Sequence, residues 1–286
     1  MKAADSHNWI DFSRDSKTGI ELFRTHFVGN SQAYDPHWHD DYLIGYTEQG
    51  LQQFSCRRQV QRSTPGNIFL IEPGELHDGE APQQDGFTYR ALYLPTDWLH
   101  RQLADIFEDL PDRFELRVEQ TLCDDRRLMA SLASAYMALK EGEQRMVRDA
   151  CIDQLMERMT AHFSWRKRQR DELLLPGLAR QGRDFLHAHL HQDIGLDDLA
   201  RALNSDRFKI NRAFKAAFGV APHSYLLQLR LIKARELLAR GRRPAEVTAD
   251  LCFSDQSHLG RWFRRAYKLT PAAYRSLCTG VPDGVG

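Results

Sequence analysis

A gapless internal repeat in the last third of the chain restricts its fold more tightly than any other feature. The segment DRFKINRAFKAAFGVAPHSY from Asp206 aligns with DQSHLGRWFRRAYKLTPAAY from Asp255 at an offset of 49 residues. Asp206 pairs with Asp255, Ile210 with Leu259, Arg212 with Arg261, Phe214 with Phe263, Pro222 with Pro271 and Tyr225 with Tyr274. Matches of such different chemistry at one offset describe a structural unit used twice.

Helix rules give each copy its shape. Asp206 and Asp255 are N-caps, because a carboxylate accepts hydrogen bonds from the free amides of a first helical turn. Behind the first cap, Ile210, Ala213, Phe214 and Ala217 form an apolar stripe; behind the second, Leu259, Trp262, Phe263 and Ala266 do so. Gly219 ends the first helix, and Pro222 prevents its resumption. Shorter helical runs, LDDLARAL at 196–203 and PAEVTADL at 244–251, precede the caps by a few residues. Two short helices joined so tightly make a helix-turn-helix, here at about 196–218 and 244–267, and the second helix of such a unit can enter a major groove. Between the units, residues 223–242 read as one long spacer helix.

The outward faces carry groove chemistry. The first shows Phe208, Asn211, Arg212 and Lys215; the second shows Gln256, Ser257, Gly260, Arg261 and Arg264. Arg can grip guanine bidentately, Asn or Gln can do so with adenine, and an exposed aromatic can touch a thymine methyl. Gly260 costs about 1 kcal/mol inside a helix, a cost that makes sense if a backbone must approach something closely. The bland alternative is a helical bundle whose basic faces are merely solvated. Charge favours the polyanion. The whole chain is neutral, with 39 basic and 39 acidic residues, but residues 171–286 hold 18 Lys/Arg against 12 Asp/Glu while the first 170 hold 21 against 27.

The sequence FSDQSHLGRWFRRAYKLTPAAYR at 253–275 resembles the signature of the AraC/XylS family of transcription regulators, and the resemblance extends over about 178–275. It departs from the family at Cys252, where a turn Gly is usual, and at Thr248, where a small Ala usually packs; Lys268 stands where the first unit has Gly219. The resemblance implies promoter DNA and RNA polymerase as partners, activation more often than repression, and a sensor domain ahead of the DNA-binding domain.

Up to about Pro95 the chain reads as short strand-like runs separated by turns such as Pro65-Gly66, Pro73-Gly74 and Asp85-Gly86, a pattern that favours a small barrel or sandwich. PHWHDDYLIGYTEQG at 36–50 and PGNIFLIEPGELH at 65–77 resemble the two half-motifs of a cupin barrel. His37 and His39 lie two apart and share a strand face. If His77 joins them from a neighbouring strand, three imidazoles converge on a possible divalent transition-metal site. The carboxylate that metal-dependent cupin enzymes often carry after the second His is Leu43 here, and Glu75 is the substitute at hand. Alternatively the three histidines hold an organic effector, or bond one another and the backbone. Tyr42, Phe54, Tyr89 and Tyr93 are candidate pocket residues, Tyr42 and Tyr89 foremost. His187, His189 and His191 read as helix packing or a solvated face. No nucleotide or hydrolase motif is present.

From Thr96 the periods turn helical, in amphipathic stretches suited to capping the β-domain or pairing with a second copy. The expectation is an α+β protein: a cupin-like barrel of double-stranded β-helix type at 1–95, a helical dimerisation and linker region at 96–170, and an all-α DNA-binding domain at 171–286. Five scattered cysteines, no apolar leader and no membrane-spanning stretch fit a cytoplasmic homodimer rather than a secreted or membrane protein. The function expected is effector-controlled, sequence-specific transcription regulation without enzymatic activity; the alternative is a metal-dependent cupin enzyme with an accessory DNA module.

Overall fold

The computed structural model describes residues 7–29, 31–106, 114–167 and 177–280, and the chain divides into two compact units, Met1–Arg168 and Gln169–Gly286. The first unit opens with nine strands: β1 (Trp9–Arg14), β2 (Glu21–Phe27), β3 (Ser31–His37), β4 (Tyr42–Gly50), β5 (Gln52–Cys56), β6 (Gln59–Ser63), β7 (Ile68–Ile71), β8 (His77–Ala81) and β9 (Phe87–Leu94). Then come α1 (Thr96–Ile106), β10 (Phe114–Val118), β11 (Leu122–Cys123), α2 (Arg126–Lys140), α3 (Arg145–Met159) and β12 (Phe163–Lys167).

Two sheets result, ordered β1-β2-β9-β4-β7-β11 and β3-β8-β5-β6, with β10 and β12 paired separately. This is the strand order of a double-sheet jelly roll. The cupin-like fold expected from the sequence is therefore present, its two sheets bonded internally and meeting through side chains. Phe54 and Cys56 from the smaller sheet pack with Leu43, Phe69, Ile71, Phe87 and Tyr89 from the larger. The other face of the larger sheet is also covered. Tyr42, Ile44, Tyr46, Leu70, Leu92 and Leu94 form one core with Leu99 and Leu103 of α1, Leu128, Leu132 and Ala135 of α2, and Ile152 and Leu155 of α3.

The stretch from Thr96 is therefore not wholly helical, because three short strands interrupt it. Arg57 ties one of them to the main fold. It donates to the main-chain oxygen of Val118 at 2.8 Å, pairs with Glu72, and lies 3.4 Å from Glu75. Glu72 in turn accepts from the Val118 amide at 2.6 Å.

The second unit is helical: α4 (Gly177–Ala188), α5 (Leu196–Ala202), α6 (Arg207–Phe218), α7 (Pro222–Ala239), α8 (Pro244–Asp250), α9 (Gln256–Tyr267) and α10 (Pro271–Thr279). Both predicted caps form. Asp206 accepts from the Lys209 amide at 2.8 Å and Asp255 from the His258 amide at 2.7 Å. These bonds to the charged form hold both carboxyls below their ordinary range. The repeated Phe and Tyr explain each other: Phe214 meets Tyr225 of the next helix edge-on at 5.7 Å, and Phe263 meets Tyr274 at 5.5 Å. Arg230 of α7 donates to the carbonyls of Leu190, Gln192 and Cys252 at 3.2, 2.7 and 3.5 Å, which fastens the spacer to both halves of the unit.

Candidate functional site

Two places carry chemistry, one in each unit. In the second unit, α5–α6 and α8–α9 form the two helix-turn-helix pairs. Ile210, Phe214, Leu259 and Phe263 are wholly buried, which turns the opposite faces of α6 and α9 outward. Phe208, Arg212 and Lys215 are exposed on α6, as are Gln256, Ser257, Arg261 and Arg264 on α9. Phe208 is 81% exposed, an unusual state for a phenyl ring. The basic groups nearer the caps are neutralised, Arg207 by Asp197 at 2.6 Å and Lys209 by Asp206 at 3.3 Å. Arg212, Lys215, Arg261 and Arg264 form no ion pair among the described residues. Asn211 is half-buried and its amide donates back to the Arg207 carbonyl at 3.0 Å. A cleft of about 350 Å3 lies in this unit, with Asn211 of α6 and His258 and Trp262 of α9 in its wall. Arg is thus available at the matched position of both helices, where it can reach a base edge or a phosphate.

In the first unit the histidines come together as the strand pairing dictates. His37 and His77 are direct cross-strand partners in β3 and β8. Their rings lie 4.4 Å apart, with His39 at 4.9 Å from His77 and 6.4 Å from His37. Each Nδ1 bonds a main-chain carbonyl: Asp35 at 2.7 Å for His37, Asp41 at 2.6 Å for His39, and Glu75 at 2.8 Å for His77. A carbonyl only accepts, so each Nδ1 carries a proton, and in the neutral tautomer Nε2 is the nitrogen with the lone pair. Burial, reinforced by the neighbouring His37, pushes His77 down to about 3, so it is neutral at physiological pH.

Beside the His37 and His77 rings lies a cavity lined by Tyr34, His37, Gln52, His77, Asp78, Tyr89 and Tyr93 over an apolar floor that includes Leu43, Phe54, Phe69 and Ile71; His39 packs behind it. Its volume is about 30 Å3, room for water or an ion rather than for a drug-sized organic ligand. Tyr34 and Tyr89 share a hydroxyl contact of 2.7 Å, and burial raises both phenols, which stay protonated.

A model described as the AraC-like ligand binding domain matches residues 19–164, about half the chain, and one described as a helix-turn-helix domain matches residues 199–276. The chain belongs to the AraC family. An uncharacterized HTH-type transcriptional regulator of Bacillus subtilis, YbfI, is 28% identical over 255 residues, covering 86% of this chain and 87% of its own length. A second from that organism, YdeC, is 22% identical, covering 90% of this chain and 92% of its own. The crystal structure of the apo form of a lysine-to-alanine variant of ToxT from Vibrio cholerae has the same fold, at TM-score 0.57 and 11% identity, covering 93% of this chain and all of that chain. This AraC-family chain is a DNA-binding transcription regulator controlled by a small molecule. The enzyme alternative falls, because the relatives that match along nearly the whole chain are regulators.

Two sequence expectations for the AraC-like binding unit need correction. Tyr42 is not a cavity residue: it lies on the helix-covered face of the larger sheet, where its hydroxyl donates to the Leu116 carbonyl at 3.1 Å. Neighbouring residues on a strand point to opposite faces, and Leu43 took the inner one. Glu75 does not stand in for a carboxylate ligand, because it faces Arg57. The three histidines do converge, yet among the described residues no set of three His, Cys, Asp or Glu side chains is arranged to hold a metal ion. Tyr34 went unnoticed in the sequence because Pro36 made the run around it an unconvincing strand. His187, His189 and His191 serve packing: His187 contacts the Tyr225 hydroxyl at 3.3 Å, His189 stacks on Phe185 at 4.0 Å, and His191 bonds the Asp250 carbonyl at 3.0 Å.

Proposed function

We propose that this regulator is a cytoplasmic activator that binds promoter DNA as a homodimer and contacts RNA polymerase there. In this reading α6 and α9 enter successive major grooves, with Phe208, Asn211, Arg212 and Lys215 reading one half-site and Gln256, Ser257, Arg261 and Arg264 the other. The observation that carries it is the pair of outward faces on which these cations form no ion pair within bonding distance among the described residues. Met146 and Val147 on α3, 83% and 45% exposed, support a dimer contact through that helix. No helix among the described residues is long and apolar enough to cross a membrane. The test is binding-site selection with the full chain. A preferred asymmetric duplex, bound with an affinity that falls steeply with salt, is the expected result; binding indifferent to salt or to sequence overturns it.

The effector acts at the cavity lined by His37, His77, Tyr34 and Tyr89, with His39 against His77, and its binding must favour one DNA-binding state over the other. One ToxT structure holds an unsaturated fatty acid. A cavity of about 30 Å3 does not admit such a chain, so the molecule recognised here is small and polar, or it parts the sheets to enter. The three anchored Nδ1 groups favour a second reading, in which the His37, His39 and His77 rings draw closer together around a divalent transition metal that itself polarises the effector. Purified protein should then retain about one metal ion per chain, and His77→Ala should lose it. Metal-free protein with a full effector response overturns the metal reading and leaves the organic one standing.

A further inference from the structure

Two glycines lie inside helices of the second unit, and only one is explained by the fold. At Gly182 in α4, an added Cβ would lie 2.5 Å from the Phe214 ring, so packing forbids a side chain. At Gly260 in α9, an added Cβ would meet nothing within 4 Å, and φ is not positive. Glycine is the poorest helix former after proline, and neither of its usual reasons applies at Gly260 within the chain. The reason must lie outside it.

Position 260 sits on the outward face of α9, between Ser257 one turn before and Arg264 one turn after, and beside Arg261. The repeat supplies the control. The matched residue in α6 is Asn211, and the residue matching Ser257 is the exposed Phe208. The first recognition helix therefore meets its partner through large side chains. The second presents a strip of bare backbone and one small hydroxyl, flanked by two arginines. We infer that Gly260 is a specificity-determining position, at which the α9 backbone lies in van der Waals contact with a base-pair edge on the floor of the major groove. α9 thus seats deeper than α6, and the depth lets Arg261 and Arg264 reach base edges as well as phosphates. The inference rests on the DNA-reading function proposed above and refines which part of α9 does the reading.

The experiment compares full-length wild type, Gly260→Ala and Arg261→Ala on the duplex that wild type enriches from a random library, and on a scrambled duplex. Gly260→Ala should melt a few degrees higher than wild type, because alanine favours the helix and finds open space. It should nevertheless bind the selected duplex at least tenfold more weakly, with affinity for the scrambled duplex unchanged. It should also select an altered base at one position of the α9 half-site. Unchanged affinity and unchanged preference overturn the inference, as does an equal loss on both duplexes, which marks a general effect. If Arg261→Ala weakens selected binding while Gly260→Ala does not, α9 still reads DNA and only the close approach is wrong. If wild type enriches no sequence, the DNA-reading proposal fails and this inference fails with it.

Discussion

Residues 210 and 214 of α6 and residues 259 and 263 of α9 are wholly buried, and in both helices an Asp caps the first turn and a Tyr of the next helix closes on the buried Phe, Phe214 or Phe263. Residues 208, 211 and 215 against 257, 260 and 264 share almost nothing: Phe, Asn and Lys face Ser, Gly and Arg. One skeleton has been kept for folding while the surface it presents was free to change. The core positions must fit one another in both copies; in the reading proposed above, the outward positions answer to a partner that differs between the two half-sites.

The comparison can be broken most decisively at the core. Phe214→Ala and Phe263→Ala should each destabilise the protein by roughly 3 to 5 kcal/mol in denaturant unfolding. A much smaller loss in one copy would mean the two skeletons are not equivalent. Next come the matched cations. Arg212→Ala and Arg261→Ala should each weaken binding to the selected duplex by about 1 to 3 kcal/mol and relax preference in different half-sites. Relaxation at the same base in both variants would contradict separate readers, and a uniform loss with a shallower salt slope would make them phosphate contacts. The caps should prove interchangeable, Asp206→Ala and Asp255→Ala each costing about 1 kcal/mol in thermal stability. The smallest effect tests an asymmetry in how the two helices end. The residue ending α6 in the left-handed region is Gly219, with φ 74°, while α9 ends on Lys268, with φ 59°. Lys268→Gly should therefore gain up to about 1 kcal/mol by relieving that backbone, whereas Gly219→Lys should lose a similar amount.

The second unit was legible in the sequence because its signals are local and repeated. A cap, a stripe and a terminator each act within a turn or two of helix, and the second copy checks the first. The turns inside the two units still hid a difference. Three residues separate Leu251 from Asp255 but only two separate Leu203 from Asp206, with Cys252 and Asn204 in the left-handed region. In the first unit the histidines were legible and their surroundings were not. Strand β4 is buried on both faces, so no alternation of polar and apolar residues distinguished Tyr42 from Leu43. Strands β10 and β12 pair across the 44 residues between Val118 and Phe163, a contact that no local pattern announces. The cavity volume depends on how two sheets close over each other, which sequence periodicity does not encode.

The spacer α7 has one more consequence. Its 18 residues span about 27 Å as an α-helix, and Arg230 fastens it to the loops on either side. A single inserted base pair moves the second half-site along the duplex and turns it by roughly 35° about the axis. A rigid rod can follow neither displacement. The grammar of a target promoter is therefore strict in phase and lenient in spelling: a changed letter in one half-site weakens one set of contacts, whereas one added or deleted between the half-sites silences the pair.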